Sequence, residues 1–225
     1  MSFKQRVREE IWHLAEKSDF IPDNISPPYS EDTLNWLFYD YLKNKKIDIG
    51  KIPVYIIESK GLNNLDFKHS GKPLKTLIPK LDEIIYEYGL TAADEGVHWD
   101  APITEEGYYV GYEFGDFNAL SVDLAYEDSD KITLIESKLG ADETYRPPKD
   151  DYKSAQLAIY ADWMIAAKYN SERREKNLVI LSAKEFYKKQ WYISELNNVL
   201  EFNNKKDQIN GYLIIWEDIF SAFQK

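Results

Sequence analysis

The chain has 225 residues, with 28 Lys and Arg against 39 Asp and Glu, which gives a net charge of −11 at pH 7. This length fits one domain with a sizeable core, or one domain with a small helical addition. The absence of cysteine excludes disulfides, zinc–thiolate sites and iron–sulfur clusters. No apolar run approaches the roughly 20 residues of a membrane span, and the charged start lacks a signal peptide's apolar segment. We therefore expect a cytoplasmic protein with no membrane partner.

Two helices are predicted near the start of the chain. Apolar residues recur at helical spacing across residues 3–17 and again across residues 34–42. Ser30 is the predicted N-cap of the second helix, with Thr33 three residues further on. We interpret residues 1–50 as a helical region that precedes the core.

The next segment predicts a strand, a loop and a third helix. Residues 52–57 form a short apolar run typical of a strand, and residues 61–73 are rich in Gly, Asn and His. Residues 74–88 predict a helix because apolar residues recur at helical spacing, with Pro79 near the first turn.

The rest of the sequence predicts a sheet flanked by helices. Four strands are predicted, at 96–103, 108–114, 118–127 and 131–138. They are followed by a helix, a strand and two more helices, at 152–169, 177–183, 194–202 and 214–223. This order predicts an α/β fold, with a mixed central sheet of four or five strands flanked by helices. We interpret residues 1–225 as a single domain whose core spans about 74–190.

The two strands at 118–127 and 131–138 hold the charged residues of most interest. Asp123 lies within one apolar run, and Glu136 and Lys138 end the other. Residues two apart on a strand share a face, so a hairpin would place two carboxylates and one ammonium together. Mg²⁺ takes oxygen ligands, and a lysine can orient or help to deprotonate an attacking water. The pattern therefore suits metal-assisted hydrolysis of a phosphodiester.

These residues also resemble a known family. Asp123 followed by Glu136-Ser137-Lys138 looks like the signature of the PD-(D/E)XK nuclease superfamily. Gln156-Leu157-Ala158-Ile159-Tyr160 resembles the Q-x-x-x-Y helix of its RecB-like and lambda-exonuclease-like branches. The resemblance implies a restriction-endonuclease-like core and a deoxyribonuclease that depends on Mg²⁺ or Mn²⁺. It favours exonuclease activity, or processing of ends or single strands, over sequence-specific cutting.

The resemblance also implies roles for individual residues. Asp123, Glu136 and the backbone carbonyl of Ser137 would bind the metal ion. Lys138 would position the attacking water or stabilise the developing negative charge. DNA, double- or single-stranded, is the implied partner, and a ring-shaped homo-oligomer stays open.

Two further roles concern helices. Gln156 and Tyr160 are one helical turn apart and share a face, and the resemblance implies that both contact the substrate. A glutamate on an upstream helix joins the metal site in lambda-exonuclease-like proteins. Glu83 is the closest match here, although it projects, like Glu87, from the side opposite the apolar face.

A second Ile-Glu-Ser-Lys stands earlier in the chain, at residues 57–60. Asp48 lies ten positions before Glu58, so this copy also makes a formal D…ExK pattern. No Q-x-x-x-Y follows it, and we rank it below the later copy. Its alternative interpretation is an edge strand with a charged end.

The net charge leaves two other functions open. A protein of charge −11 needs a local basic groove to bind DNA, because phosphate contacts supply most non-specific affinity. Lysines that could form one are Lys43, Lys45, Lys46, Lys51, Lys184, Lys188, Lys189, Lys205 and Lys206. The alternatives are a catalytically degenerate nuclease fold that only binds, and an acidic DNA mimic or partner-binding protein.

Overall fold

The structure is a computed structural model that describes residues 2–59, 65–89, 121–139, 145–146, 154–155, 174–187 and 209–224, with Leu157, Tyr160 and Met164. The strands predicted at 96–103 and 108–114, the helix at 194–202 and Gln156 lie outside these residues. No helix in the described part of the chain has both the length and the apolar composition to cross a membrane.

The two predicted N-terminal helices are confirmed. Helix α1 spans Phe3–Lys17, and helix α2 spans Glu31–Lys43. Ser30 caps α2 as predicted, because its hydroxyl accepts a hydrogen bond from the Thr33 N–H at 3.1 Å. The Thr33 hydroxyl accepts from the Ser30 N–H in return, which completes a capping box. This cap fixes where α2 begins, and therefore where the first-turn residue Glu31 points.

The centre of the fold is a mixed sheet of seven strands among the described residues, more than the predicted four or five. Its strands are β1 Pro53–Ser59, β2 Leu65–Pro73, β3 Ile84–Gly89, β4 Ser121–Glu127, β5 Lys131–Lys138, β8 Glu175–Ser182 and β9 Ile209–Ile215. They lie side by side in the order β2-β1-β9-β8-β5-β4-β3. The pairs β5–β8 and β8–β9 are parallel, and the remaining pairs are antiparallel. The α/β class is therefore confirmed.

The parallel strands form the buried middle of the sheet. Strand β5 is buried along its whole length after Lys131, and β8 is buried after Glu175. Strands buried along their length are expected where both faces of a sheet are covered. The core packed around them includes Trp216 at the start of the short helix Trp216–Ala222.

The helix predicted at 74–88 is wrong. The segment forms two short 3₁₀ turns, Leu74–Thr76 and Leu81–Glu83, and then strand β3. Pro79 lies in the interior of the predicted helix, where it lacks a backbone N–H to donate and blocks the preceding turn. Four of the five residues from Ile84 to Tyr88 are β-branched or aromatic, which favours a strand.

Three smaller predictions also need correction. The loop predicted at 61–73 contains strand β2, which pairs with β1. The helix predicted to begin at 152 cannot start there, because strand β7 Ser154–Ala155 pairs with strand β6 Tyr145–Arg146. The helix predicted at 214–223 starts after β9, at Trp216.

Candidate active site

The predicted acidic pair forms where β4 meets β5. Leu124 pairs with Ile135 in this antiparallel ladder, so Asp123 and Glu136 are the next residues across from each other. One carboxylate oxygen of Asp123, Oδ2, accepts a hydrogen bond from the Ser137 N–H at 2.7 Å. The backbone of β5 therefore fixes the position of the Asp123 side chain.

Glu136 is the most enclosed acid of this pair. Its side chain accepts a hydrogen bond from Lys138 Nζ at 2.7 Å through Oε1 and from the Tyr160 hydroxyl at 3.1 Å through Oε2. Glu136 and Lys138 are only 4% and 5% exposed. The structure thus brings Asp123, Glu136 and Lys138 together. Tyr160, which the resemblance assigns to the substrate, is fully buried and its hydroxyl binds Glu136.

Burial and mutual repulsion disturb the protonation of both acids. Burial, and next the charge of Glu136, raise the pKa of Asp123 to about 7, against the lowering effect of the Ser137 N–H and Lys138. Burial likewise raises the pKa of Glu136, although Lys138 and Tyr160 favour its charged form. One lysine therefore does not compensate the negative charge gathered here, and carboxylates of raised pKa in one cluster are a feature of functional sites.

A third carboxylate, Glu31, reaches the same cluster from the first turn of α2. Its Oε2 accepts a hydrogen bond from the N–H of Leu139, the residue directly after Lys138. Arg8 of α1 holds the same residue by donating to the Leu139 carbonyl at 2.8 Å. Two helices therefore clamp the end of β5, where Glu136 and Lys138 lie.

Glu31 also belongs to the cluster electrostatically. Burial raises its pKa to about 7; the Leu139 N–H and Lys138 lower the pKa, and Asp123 raises it. In the sequence, Glu31 stands out only as an acidic residue directly after the N-cap Ser30. Such a residue ordinarily indicates a helix start and not an active-site ligand. Nothing local indicated that α2 would lie at the end of β5.

Glu31, and not Glu83, is the upstream-helix glutamate near the site. Glu83 lies on a 3₁₀ turn and not on an α-helix, and its carboxylate pairs with Lys80 at 3.0 Å. Glu87 lies on β3 with a backbone φ of 47°, which a residue with a side chain rarely adopts. It stands across from Asp123, between the pairs Tyr86↔Leu124 and Tyr88↔Val122. Its side chain is exposed, so we assign Glu87 no role as a ligand.

Ser137 takes part in the cluster through its backbone N–H. Its N–H binds Asp123, and its side chain is fully buried with no hydrogen-bond partner for Oγ among the described residues. The use of its carbonyl as a ligand stays a prediction.

In the earlier Ile-Glu-Ser-Lys, the aspartate that the sequence predicts, Asp48, does not lie across from Glu58; Asp66 of β2 is the residue paired with Glu58. Asp48 precedes β1, while Glu58 lies near the other end of that strand, so roughly 16 Å of extended backbone separates Pro53 from Glu58. The Asp48 carboxylate instead accepts the Gly50 N–H and pairs with Lys51 at 3.3 Å. Lys60 lies outside the described residues.

The donor set at the later copy suits a hard divalent cation. Asp123, Glu136 and Glu31 offer carboxylate oxygens, and the raised pKa values show negative charge that a cation would relieve. Within the described residues, no three acidic or histidine side chains are already arranged around one point to hold an ion. The chemistry of these residues therefore fits a metal ion. An ion bound to Glu136 would compete with Lys138, which already pairs with that carboxylate.

A separate cavity of about 630 Å³ lies beyond the other end of α2. Lysines and carboxylates line it together, among them Lys45, Lys75, Lys80 and Asp82. None of the clustered acids near Asp123 borders it. Its mixed charges do not define a ligand, and the acidic cluster remains the candidate site.

Comparison with known proteins adds no relative. No protein-family model matches the sequence, and neither a curated protein nor a solved structure is significantly similar to it.

Proposed function

We propose that this protein is a metal-dependent phosphodiesterase that hydrolyses DNA at the Asp123–Glu136–Lys138 cluster. The observation that carries the proposal is a partly buried Asp123 facing a buried Glu136 and Lys138, with the pKa of Asp123 raised to about 7. Charged groups are rare in protein cores, because burying a charge costs free energy unless a partner compensates it. The PD-(D/E)XK resemblance supplies a chemistry that needs these groups.

The order of the strands supports a restriction-endonuclease-like core. Strands β3, β4 and β5 run antiparallel to one another, and the chain then passes through the helical residues Leu157, Tyr160 and Met164 before β8. Strand β8 returns parallel to β5. A mixed sheet of this order, with a helix in the crossover, is the core that the family resemblance implies.

The residues of the cluster divide the work. Asp123 and Glu136, with Glu31 nearby, would hold Mg²⁺ or Mn²⁺, which when bound supplies positive charge to the scissile phosphate and its attacking water. Tyr160 orients Glu136 through its hydroxyl, and the Ser137 N–H orients Asp123. Lys138 Nζ provides a fixed ammonium to the negative charge that grows on the phosphate as water adds and the P–O bond to the leaving oxygen breaks.

The experiment is a cleavage assay on linear single-stranded and duplex DNA, with Mg²⁺, Mn²⁺ or excess chelator. We expect cleavage only with metal, and a fall of at least about 100-fold in Asp123→Asn, as for loss of a preorganised electrostatic group. Asn keeps an acceptor for the Ser137 N–H, so the fold is preserved. Asp48→Asn is the matched control and should cleave at the wild-type rate.

Cleavage in excess chelator, or a wild-type rate in Asp123→Asn, would overturn the proposal. A second candidate, a nuclease-like fold that binds DNA without cutting, is favoured by one observation: Lys138 and Tyr160 already occupy both carboxylate oxygens of Glu136. DNA binding with no cleavage in any metal would support that second candidate.

A further inference from the structure

An exposed group of three aromatic rings lies beside the acidic cluster. Trp36 and Tyr39 project from α2, and Tyr86 projects from β3. The ring centroids lie 5.4 Å apart for Trp36–Tyr86, 5.5 Å for Tyr39–Tyr86 and 5.6 Å for Trp36–Tyr39. We call these three residues the ring platform.

Trp36 is the open member of the platform. It is 48% exposed, whereas Trp216 in the core is fully buried, and both tyrosines are partly buried. Single exposed apolar residues are ordinary on protein surfaces. Here two further rings contact the indole, Tyr86 edge-on at an interplanar angle of 76° and Tyr39 tilted at 40°, so the indole is held in place while it stays open to solvent.

Helix α2 places the platform near the candidate active site. Tyr86 pairs across β3–β4 with Leu124, the neighbour of Asp123. On α2, Asp32, Trp36 and Tyr39 follow each other at helical spacing along one side, starting one residue from Glu31. The pKa of Tyr86 is raised to about 12, chiefly by burial, and the charges of Asp32 and Asp123 contribute, as expected for neighbours.

We propose that the ring platform stacks with an unpaired base of single-stranded DNA whose backbone enters the Asp123–Glu136 site. This inference rests on the proposed function and names its substrate class. Bases in a duplex are already stacked on one another, so an exposed indole can accept only an unpaired one. Lys43, whose Nζ lies 5.8 Å from the Tyr39 ring centroid, adds a cation at the far end of the platform.

The net charge favours this mode of binding over a purely electrostatic one. A chain of charge −11 repels DNA at long range, so phosphate contacts alone give it little affinity. Base–aromatic stacking does not depend on the protein's charge and tolerates any base. The platform therefore supplies affinity that an acidic protein otherwise lacks, and it does so where a strand must pass to be cut.

The test measures binding in excess chelator, by fluorescence anisotropy of a labelled single-stranded DNA, a blunt duplex and a single-stranded RNA of one sequence. We expect Trp36→Ala to raise the Kd for single-stranded DNA by about 5- to 100-fold, the range found when one stacking ring is removed. Trp36→Phe keeps a ring and should stay within about threefold of wild type. Duplex affinity should not change.

Two further variants control for stability and for general loss of apolar surface. Trp36→Leu keeps apolar bulk without a flat ring, and should bind as weakly as Trp36→Ala; it decides the matter if Trp36→Ala does not fold. Leu14→Ala removes another exposed apolar side chain, 38% exposed on α1, and should bind as wild type does. Equal binding by Trp36→Leu and wild type would overturn the proposal, as would Trp36-dependent binding that is tighter for RNA than for DNA.

The inference and the proposed function fail separately. Loss of binding in Trp36→Ala, with no cleavage by wild type in any metal, would leave the platform in place and remove the nuclease. Cleavage that depends on Asp123, with binding that does not depend on Trp36, would keep the nuclease and remove the platform.

Discussion

The two Ile-Glu-Ser-Lys segments lie in one sheet and have different surroundings. The later copy ends β5, which pairs with β8 along its whole length and with β4 on its other side. Ile57, Glu58 and Ser59 of the earlier copy lie in β1, between β2 and β9, and in the described part of the chain β1 pairs with β9 at Tyr55↔Leu213. Each copy has an aspartate across the antiparallel ladder from its glutamate, Asp66 for Glu58 and Asp123 for Glu136. Among the described residues, the later copy is the one whose strand end contacts two helices, through Glu31 and Arg8. The four residues are therefore not a site by themselves; their neighbours decide.

The sharpest mutational test of this comparison replaces each of the two lysines with alanine in separate variants. Lys138→Ala should lower the single-turnover cleavage rate by a factor on the order of 10², as expected for one preorganised electrostatic group. Lys60→Ala should change the rate by less than about threefold, because no transition-state contact is lost. The measurement is made with saturating Mg²⁺.

Lys138→Ala also leaves Glu136 buried without its ammonium partner, which destabilises folds. Lys138→Met keeps the buried volume, and thermal melting of both variants shows whether each is folded at the assay temperature. If Lys60→Ala proves the more damaging change, the active site moves to Glu58 and Lys60.

A smaller effect is expected from Glu31. Glu31→Gln keeps an acceptor for the Leu139 N–H but removes the charge, so the clamp at the end of β5 survives. We expect cleavage to fall by about tenfold, and half-maximal cleavage to need a higher metal concentration, because one of three carboxylates near the ion loses its charge. Glu9→Gln, on the exposed side of α1, is the control. An unchanged metal dependence in Glu31→Gln would reduce Glu31 to a helix-end contact.

Glu31 also shows where the sequence stops being informative. The two helices, the β4–β5 hairpin and the order of Asp123, Glu136 and Lys138 follow from local periodicity and turn residues, and the structure confirms these elements. The contact of Glu31 with Leu139 joins residues 108 apart in sequence, and no local pattern encodes it. Only the packing of α2 against the sheet creates this contact.

The helix prediction for residues 74–88 was wrong for a different reason, because the local pattern was ambiguous. Its apolar residues fit helical spacing as well as they fit two 3₁₀ turns and a strand, so periodicity could not choose. Pro79 and the run Ile84-Ile85-Tyr86 decided the outcome through backbone and propensity effects. The error mattered for the site, because the predicted helix made Glu83 the predicted upstream-helix glutamate.

The smallest expected effect is on stability. The folded-state pKa of Asp123, about 7, lies above its ordinary 3.8, so the folded state binds this proton more tightly than the unfolded state does. The free energy of unfolding of the metal-free protein should therefore fall as pH rises from about 4 to about 7. Asp123→Asn removes this penalty, and should gain about 1–3 kcal/mol at pH 8, after allowance for the partial exposure of Asp123.

That gain corresponds to a Tm higher by about 2–10 °C for a chain of this size, shrinking towards pH 5. Asp48→Asn, which changes an exposed carboxylate paired with Lys51, should move the Tm by less than about 2 °C. Thermal melts of both variants and wild type, in chelator from pH 5 to pH 8, provide the comparison. A lower Tm for Asp123→Asn at pH 8 would show that the Asp123 charge stabilises the fold.

The most direct test of the central claim is a calorimetric titration of Mn²⁺ into wild type, Asp123→Asn and Glu58→Gln. An ion held by the later copy should bind wild type and Glu58→Gln alike, and should release protons near pH 7, because it displaces them from carboxyls of raised pKa. Asp123→Asn should bind at least about tenfold more weakly. Binding that survives in Asp123→Asn and is lost in Glu58→Gln would contradict the account, and so would wild type that takes up no Mn²⁺.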